Sequence, residues 1–201
     1  MIASHFAQMI SRATIPEEGK CSAHYYAVSI VCDLSFGVQE VIRNLGSERV
    51  TRHLITALKR HKRTTQRDIL KALKNISRNP SNLDSLHNSG LIERMCEMLR
   101  SETQLRKIDL LPQILNILFN LLRMSRQRQH EAISCGLLIT LCALLERQQN
   151  FNQFSIPIMC ELIGNSKSLP YLWSTDALAH LLSFADDVCW GNLATDTIIG
   201  W

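Results

Sequence analysis

ILNILFNLLRMSRQRQHEAISCGLLITLCALLE, Ile114 to Glu146, joins an apolar helical run, a basic joint, a short helical run ending at Gly136, and a second apolar run. Such a unit cannot bury its own apolar faces, so it needs copies of itself on either side. LKALKNISRNPSNLDSLHNSGLIERMCEML, Leu70 to Leu99, repeats the order: helix, Asn75, polar joint, short helix, Gly90, amphipathic helix. Asn75 and Asn120 are 45 residues apart, Gly90 and Gly136 are 46 apart, and Leu99 and Leu145 are also 46 apart. A looser third copy runs from Ser29 through Asp33 and Gly46 to Leu58, and a fourth from Pro157 through Glu161 to Leu182. The spacing drifts, to 44 between Gly46 and Gly90 and 41 between Asn120 and Glu161.

A period of roughly 40 to 47 residues is that of armadillo and HEAT helical repeats. The expected fold is therefore all-α, a right-handed superhelical armadillo/HEAT-like solenoid of about four repeats. It spans 1–201 as a single body, with approximate repeats at 21–60, 64–100, 107–147 and 151–184, and a partial repeat at 188–201. In a solenoid each repeat contacts only its neighbours. Residues 1–20 read as a frayed helix and loop, broken at Ile15-Pro16-Glu17-Glu18-Gly19. Trp190 to Trp201 reads as the first half of a repeat left unfinished.

The local signals agree. Gly46 is expected to close a short helix in the left-handed conformation. Ser47 is placed to cap a helix whose Val50, Leu54, Ile55 and Leu58 share one face. Pro112 suits a first helical turn, and Pro157 reads as opening the fourth copy or kinking a longer helix. Trp173, Trp190, Trp201, Leu178, Leu181 and Leu182 are expected to cover the terminal core. An end repeat without its covering neighbour is sticky, which leaves self-association through that end open.

Composition narrows the class. The chain is 46% hydrophobic with 5 Pro and 8 Gly, and it has no apolar run near the roughly 18 residues of a membrane span. Its N-terminus lacks the features of a signal peptide, so it reads as soluble and intracellular. Seven Cys form no CxxC pair and no zinc spacing, so no metal site is expected. Cys96, Cys142 and Cys160 sit in apolar helical patterns as small hydrophobes, which suits a reducing compartment. There is no phosphate-binding GxGxxG, HRD-type or DFG motif, and His130-Glu131 with Ser134-Cys135-Gly136 forms no oriented triad. No catalytic residue, cofactor or small-molecule substrate is expected.

Charge is uneven. Arg43 to Arg78 holds eleven Lys/Arg against Glu48 and Asp68, a balance of +9, which leaves −5 for the rest of a chain that nets +4. A basic end suits an acidic or phosphorylated partner, since Arg offers paired donors to phosphate oxygens. Nucleic acid is the other class with that charge, but only His53 and His61 interleave the basic run, which gives base stacking little support. A solvated basic face is the plainer alternative.

The C-terminal third carries a sharper likeness. SIPIMCELIGNSKSL (Ser155 to Leu169), TDALAHLLSF, and VCWGNLATDTII (Val188 to Ile199) resemble the C-terminal armadillo region of the septation and mitotic-exit network kinases of fungi. The plant mitogen-activated protein kinase kinase kinase epsilon group shares it. Pro157, Cys160-Glu161, Trp190, Ala194, Asp196, Thr197 and Ile198 carry the match, and SRQRQHEAISCGLL (Ser125 to Leu138) resembles the family's Arg-Gln-rich joint.

The resemblance implies a non-catalytic module of a larger serine/threonine kinase, cytoplasmic and at the spindle pole body. It would dock the kinase on a scaffold for mitotic exit and cytokinesis. In armadillo arrays the third helix of each repeat lines a groove, where an amide pairs with the backbone of an extended peptide. That implies partner-binding roles for Asp33, Asn75, Asn120 and Glu161, with Lys71 and Asn116 one turn earlier and Arg78 and Arg123 three residues after the amides. An Asn offers two donors and an acceptor, as an unpaired peptide backbone requires. Bonding between neighbouring helix ends is the other use for Asn75 and Asn120. An unrelated armadillo/HEAT adaptor or transport factor is the competing identity.

Overall fold

Third-helix positions organise the architecture. The computed structural model describes residues 23–147, 151–172 and 175–200, and all regular elements among them are helical. Residues 1–20, expected to fray, and Trp173 and Trp201, expected in the terminal core, lie outside the described residues. The described chain divides into two compact units, with the division after Leu91.

In the first unit, α1 (Ala23–Leu34) is followed by α2 (Gln39–Leu45), α3 (Glu48–Arg60) and α4 (Arg63–Ser77). A 3₁₀ turn, Pro80–Asn82, then leads into α5 (Leu83–Asn88). Val50, Leu54, Ile55 and Leu58 form the buried face of α3, as their spacing predicts. Ile69, Leu70, Leu73 and Ile76 are fully buried on α4, each worth about 2 kcal/mol of transfer free energy. α4 packs against both α1 and α3. Ser47 occupies the N-cap position of α3, but its side chain makes no capping bond.

Gly46 departs from expectation. Its φ is −73°, an ordinary right-handed value, so conformational freedom does not explain it. A Cβ there would stand 2.5 Å from Asn82 Nδ2 and closer still to Cγ and Oδ1. The missing side chain makes room for a buried amide. Gly90 and Gly136, by contrast, both have φ +76°, the left-handed value an L side chain rarely adopts.

The second unit contains nearly all of α6 (Leu91–Leu105), then α7 (Leu111–Leu122), α8 (Arg126–Ser134), α9 (Leu137–Arg147) and α10 (Asn152–Ile163). α11 (Leu169–Leu172), α12 (Ala177–Leu182) and α13 (Gly191–Ile199) complete it. Ser101 to Leu105, which fall between the repeats expected at 64–100 and 107–147, continue α6, with Glu102 and Thr103 buried. Pro112 stands in the first turn of α7 as expected. Pro157 lies inside α10 rather than at its start. α7 is apolar nearly all round and accordingly buried on most sides. Leu181 is fully buried and Leu178 half-buried, but Leu182 points outward, 63% exposed, because it follows the buried position by one residue.

The helices group as short, medium, third: α2–α3–α4, α5–α6–α7, α8–α9–α10 and α11–α12–α13, with α1 a third helix that precedes them. Third helices pack side by side within each unit, α1 on α4, and α7 on α10 on α13.

Candidate functional site

Asn75, Asn120 and Glu161 occupy the same register, the third-last residue of α4, α7 and α10, and Asp33 is the second-last residue of α1. The structure therefore places all four on third helices. Asp33 and Lys71 line one cleft of the first unit, about 250 Å³, with Ser29, Phe36, Thr65 and Asp68. Lys71 Nζ pairs with Asp68 Oδ1 at 3.4 Å, and Asp33 is exposed. Asn75 Nδ2 donates to Ser35 Oγ at 3.3 Å, and that hydroxyl donates to Cys32 O at 2.6 Å. The Asn75 donor therefore has a partner within its own unit.

The α4 helix adds what the count of charges did not show. Arg63, Arg67, Lys71, Lys74 and Arg78 follow one another at intervals of four, four, three and four residues, which places the first four along one face of the helix and Arg78, its C-cap residue, in line with them. Each is exposed or half-buried. Arg63, Arg67 and Lys74 were not among the expected site residues; the heptad-like spacing was the signal that would have found them. His53 on α3 and His61 at its C-cap are held below the usual histidine range, first by burial and then by neighbouring Arg49 and Arg52, and Arg60, respectively.

In the second unit Asn120 is buried, and its Nδ2 donates to Asn116 Oδ1 at 3.2 Å, so two expected partner-binding amides bond to each other. Glu161 Oε2 accepts from Gln129 Nε2 at 2.6 Å. Arg123 is exposed just past the end of α7. Glu161 borders an open cleft of about 530 Å³ whose apolar walls are Phe119, Met124, Pro157 and Leu193. Arg126, at its edge, donates to Gly164 O.

A second set of polar residues escaped the sequence reading. Asn82 donates to Ile76 O at 3.1 Å, Gln129 to Leu122 O at 3.0 Å, and Ser168 to Ile163 O at 3.1 Å. Each is a buried side chain, in the 3₁₀ turns Pro80–Asn82 and Ser166–Ser168 or in α8, that satisfies a terminal carbonyl of the preceding third helix. Asn82 also reaches Ile42 O at 3.2 Å, and Asn165 reaches Arg126 O at 3.1 Å and Gln129 Oε1 at 3.3 Å. A polar residue five to seven positions beyond each third helix was the available signal. Side-chain type differs at every copy, which hid it.

No group of His, Cys, Asp and Glu suited to a metal ion occurs among the described residues, and no described helix is long and apolar enough to cross a membrane. What the two faces offer is binding: a basic stripe beside a small polar cleft in one unit, and an apolar cleft bordered by Glu161 in the other.

No family model matches the chain. It is 31% identical to cytokinesis protein sepH of Emericella nidulans over 165 residues, 80% of this chain and 12% of that protein. Cell division control protein 7 of Schizosaccharomyces pombe is 28% identical over 134 residues, 66% of this chain and 13% of that protein. MAP3K epsilon protein kinase 1 of Brassica napus is 28% identical over 131 residues, 65% of this chain and 10% of that protein. The chain thus spans about an eighth of the length of the curated relatives it matches. Among solved structures, a computationally designed armadillo repeat protein for modular peptide recognition superimposes with a TM-score of 0.78 at 15% identity, covering 99% of this chain and 82% of that one. A designed armadillo repeat protein in complex with peptide (KR)4 gives 0.73 at 15% identity, covering 99% and 80%. The fold is that of armadillo repeats.

Proposed function

The chain is related to a region of the cytokinesis and MAP3K epsilon kinases, and from that premise we propose that it is the docking module of a mitotic-exit or septation kinase. The module has no catalytic role. It binds a segment of a spindle-pole scaffold and so places the kinase in the cytoplasm at the spindle pole body. The observation that carries the reading is the α4 stripe, Arg63, Arg67, Lys71 and Lys74 on one face of a third helix with Arg78 at its C-cap. Such a row suits an acidic or phosphorylated peptide, because guanidinium groups give paired, charge-assisted donors to phosphate and carboxylate oxygens. Asp33, Asn75, Asn116, Asn120, Arg123 and Glu161 complete the proposed contact set, each on a third helix or, for Arg123, just past its end. Bonds of Asn75 and Asn120 within their units mean that a peptide would compete for those amides rather than find them idle.

The test is binding of the purified chain to a spindle-pole scaffold fragment, unphosphorylated and phosphorylated, across a salt series. Tighter binding of the phosphorylated fragment, weakening as salt rises, is expected. Charge reversal at Lys71, Arg78 and Arg123 should lower affinity at least about tenfold, since charge-assisted bonds contribute roughly 1.5–3 kcal/mol each. Intact binding after that reversal would refute the basic face as the contact. No binding in either state, by a monodisperse helical chain, would favour an adaptor of unrelated partners.

A further inference from the structure

Thr103 on α6, Arg106 just past its end, and Leu144 and Arg147 on α9 line a cleft of about 270 Å³ within the second unit. α6 and α9 are the middle helices of their triplets, so the cleft involves none of the third-helix residues proposed to contact a peptide. Thr103 is 7% exposed, and its hydroxyl is buried without a hydrogen-bond partner among the described residues. Such a group has given up its bonds to water and gained none in return, a cost that packing does not explain.

Arg106 is the second anomaly. Its φ is +56°, in the left-handed region. Its N–H donates to Thr103 O at 3.3 Å and that of Lys107 to Glu102 O at 3.0 Å, the pair of bonds with which a left-handed residue closes a helix. Gly90 and Gly136 hold that place after α5 and α8, where no side chain is strained. After α6 an arginine bears the strain, and backbone strain of this kind gathers where a side chain has a function. Among the described residues, neither the Arg106 nor the Arg147 guanidinium makes an ion pair or a hydrogen bond. Glu146 stands 3.4 Å from His180 instead, and Glu102 has a partner of its own.

We propose that this cleft is an anion pocket that takes a phosphate monoester, held by the guanidiniums of Arg106 and Arg147 and by the Thr103 hydroxyl. Guanidiniums give paired, charge-assisted donors to phosphate oxygens. A carboxylate has two oxygens, which one guanidinium satisfies; three separate donor groups suit the three terminal oxygens of a monoester. Leu144, 1% exposed, adds an apolar wall beside which charge-assisted bonds are stronger than in open water. Helix C-termini ordinarily repel anions. Here the Arg106 and Lys107 N–H groups already cover two terminal carbonyls of α6, and Arg147 adds a cation in the last turn of α9. The monoester belongs either to a phosphorylated side chain of a partner or to a small free phosphate, and its chemistry at the cleft is the same.

The experiment follows arginine Nε–Hε and backbone amide signals of the 15N-labelled chain as sodium phosphate is added, with sodium chloride at matched ionic strength as the control. Saturable shifts at Arg106, Arg147 and Thr103 with phosphate, and none with chloride, are expected. A blocked phosphoserine peptide flanked by glycines, with its unphosphorylated form, is the second arm. Tighter binding of the phosphopeptide than of phosphate assigns the monoester to a partner chain, and binding no tighter assigns it to a small free phosphate. R147A should weaken phosphate binding at least about tenfold, the loss expected of one charge-assisted bond. R106G should lose as much affinity yet raise the urea midpoint, because glycine removes the strain. T103V should bind about fivefold more weakly without a lower midpoint, because valine removes an unpaired buried donor. A merely structural Arg106 or Thr103 would not exchange affinity for stability in this way. The K71E/R78E/R123E variant should keep full phosphate binding at Arg106 and Arg147, so failure of the basic stripe and failure of this pocket are distinguishable. Shifts that do not saturate, that chloride reproduces, or that persist unchanged in R106G would overturn the proposal.

Discussion

Replacing Gly46 with alanine puts one methyl group where the Asn82 carboxamide lies. Backbone strain plays no part, because φ at Gly46 is −73° and alanine accepts it. Asn82 must move, and moving it breaks its bonds to Ile42 O at 3.2 Å and Ile76 O at 3.1 Å, both buried. Two neutral buried hydrogen bonds are worth about 1 kcal/mol each. Overpacking adds about 1–3 kcal/mol. Alanine gives back about 0.4–1 kcal/mol by restricting the unfolded chain. The net expectation is a loss of about 3 kcal/mol, read as a shift of the urea midpoint by far-UV circular dichroism. The G46A/N82A double variant separates the causes: with the carboxamide gone the clash is gone, so the double should be no less stable than N82A alone. G90A is the control, since nothing lies within 4 Å of a Cβ at Gly90 and only the left-handed backbone is penalised, by about 1–2 kcal/mol. Additive losses in the double, or a G46A change within about 0.5 kcal/mol of zero, typical of a neutral surface site, would refute the steric account.

Gln129→Leu should cost about 3 kcal/mol in the same assay, because it strips bonds to Leu122 O and Glu161 and leaves Asn165 without one acceptor. Pro157→Ala should stabilise by about 1–3 kcal/mol, since proline inside α10 cannot donate to the preceding turn; no gain would mean that the helix had already relaxed around it. His53 and His61 bind protons less readily folded than unfolded, so stability should fall as the pH drops below about 6.5, the unfolded value. An H53Q/H61Q variant should show a shallower decline over that window, measured as the urea midpoint against pH.

The helices were legible because apolar spacing dictates which faces meet: Val50, Leu54, Ile55 and Leu58 are buried as their period requires. Gly90 and Gly136 were legible as landmarks because both hold a backbone shape other residues resist. Gly46 has nearly the same spacing and a different cause, and only the position of Asn82, thirty-six residues away, shows it. Leu182 falls outside the core, since one step along a helix turns a side chain by about 100°. The candidate site residues were legible as positions along their helices but not in the bonds they make. Sequence register puts Asn75, Asn120 and Glu161 at one level of their helices, yet which atom each bonds depends on Ser35, Asn116 and Gln129.

Four cations along one face of α4, with Arg78 in line at its C-cap, also set a thermodynamic linkage. Like charges three or four residues apart on a helix oppose its formation by a few tenths of a kcal/mol per pair, roughly 1 kcal/mol for this row. The Lys71–Asp68 pair offsets part of that repulsion, and an anionic peptide would release what is left of it on arrival. Added salt should relieve the same repulsion without any ligand. Ionic strength and partner then act as rivals: the salt that steadies the first unit by itself weakens its grip on the peptide.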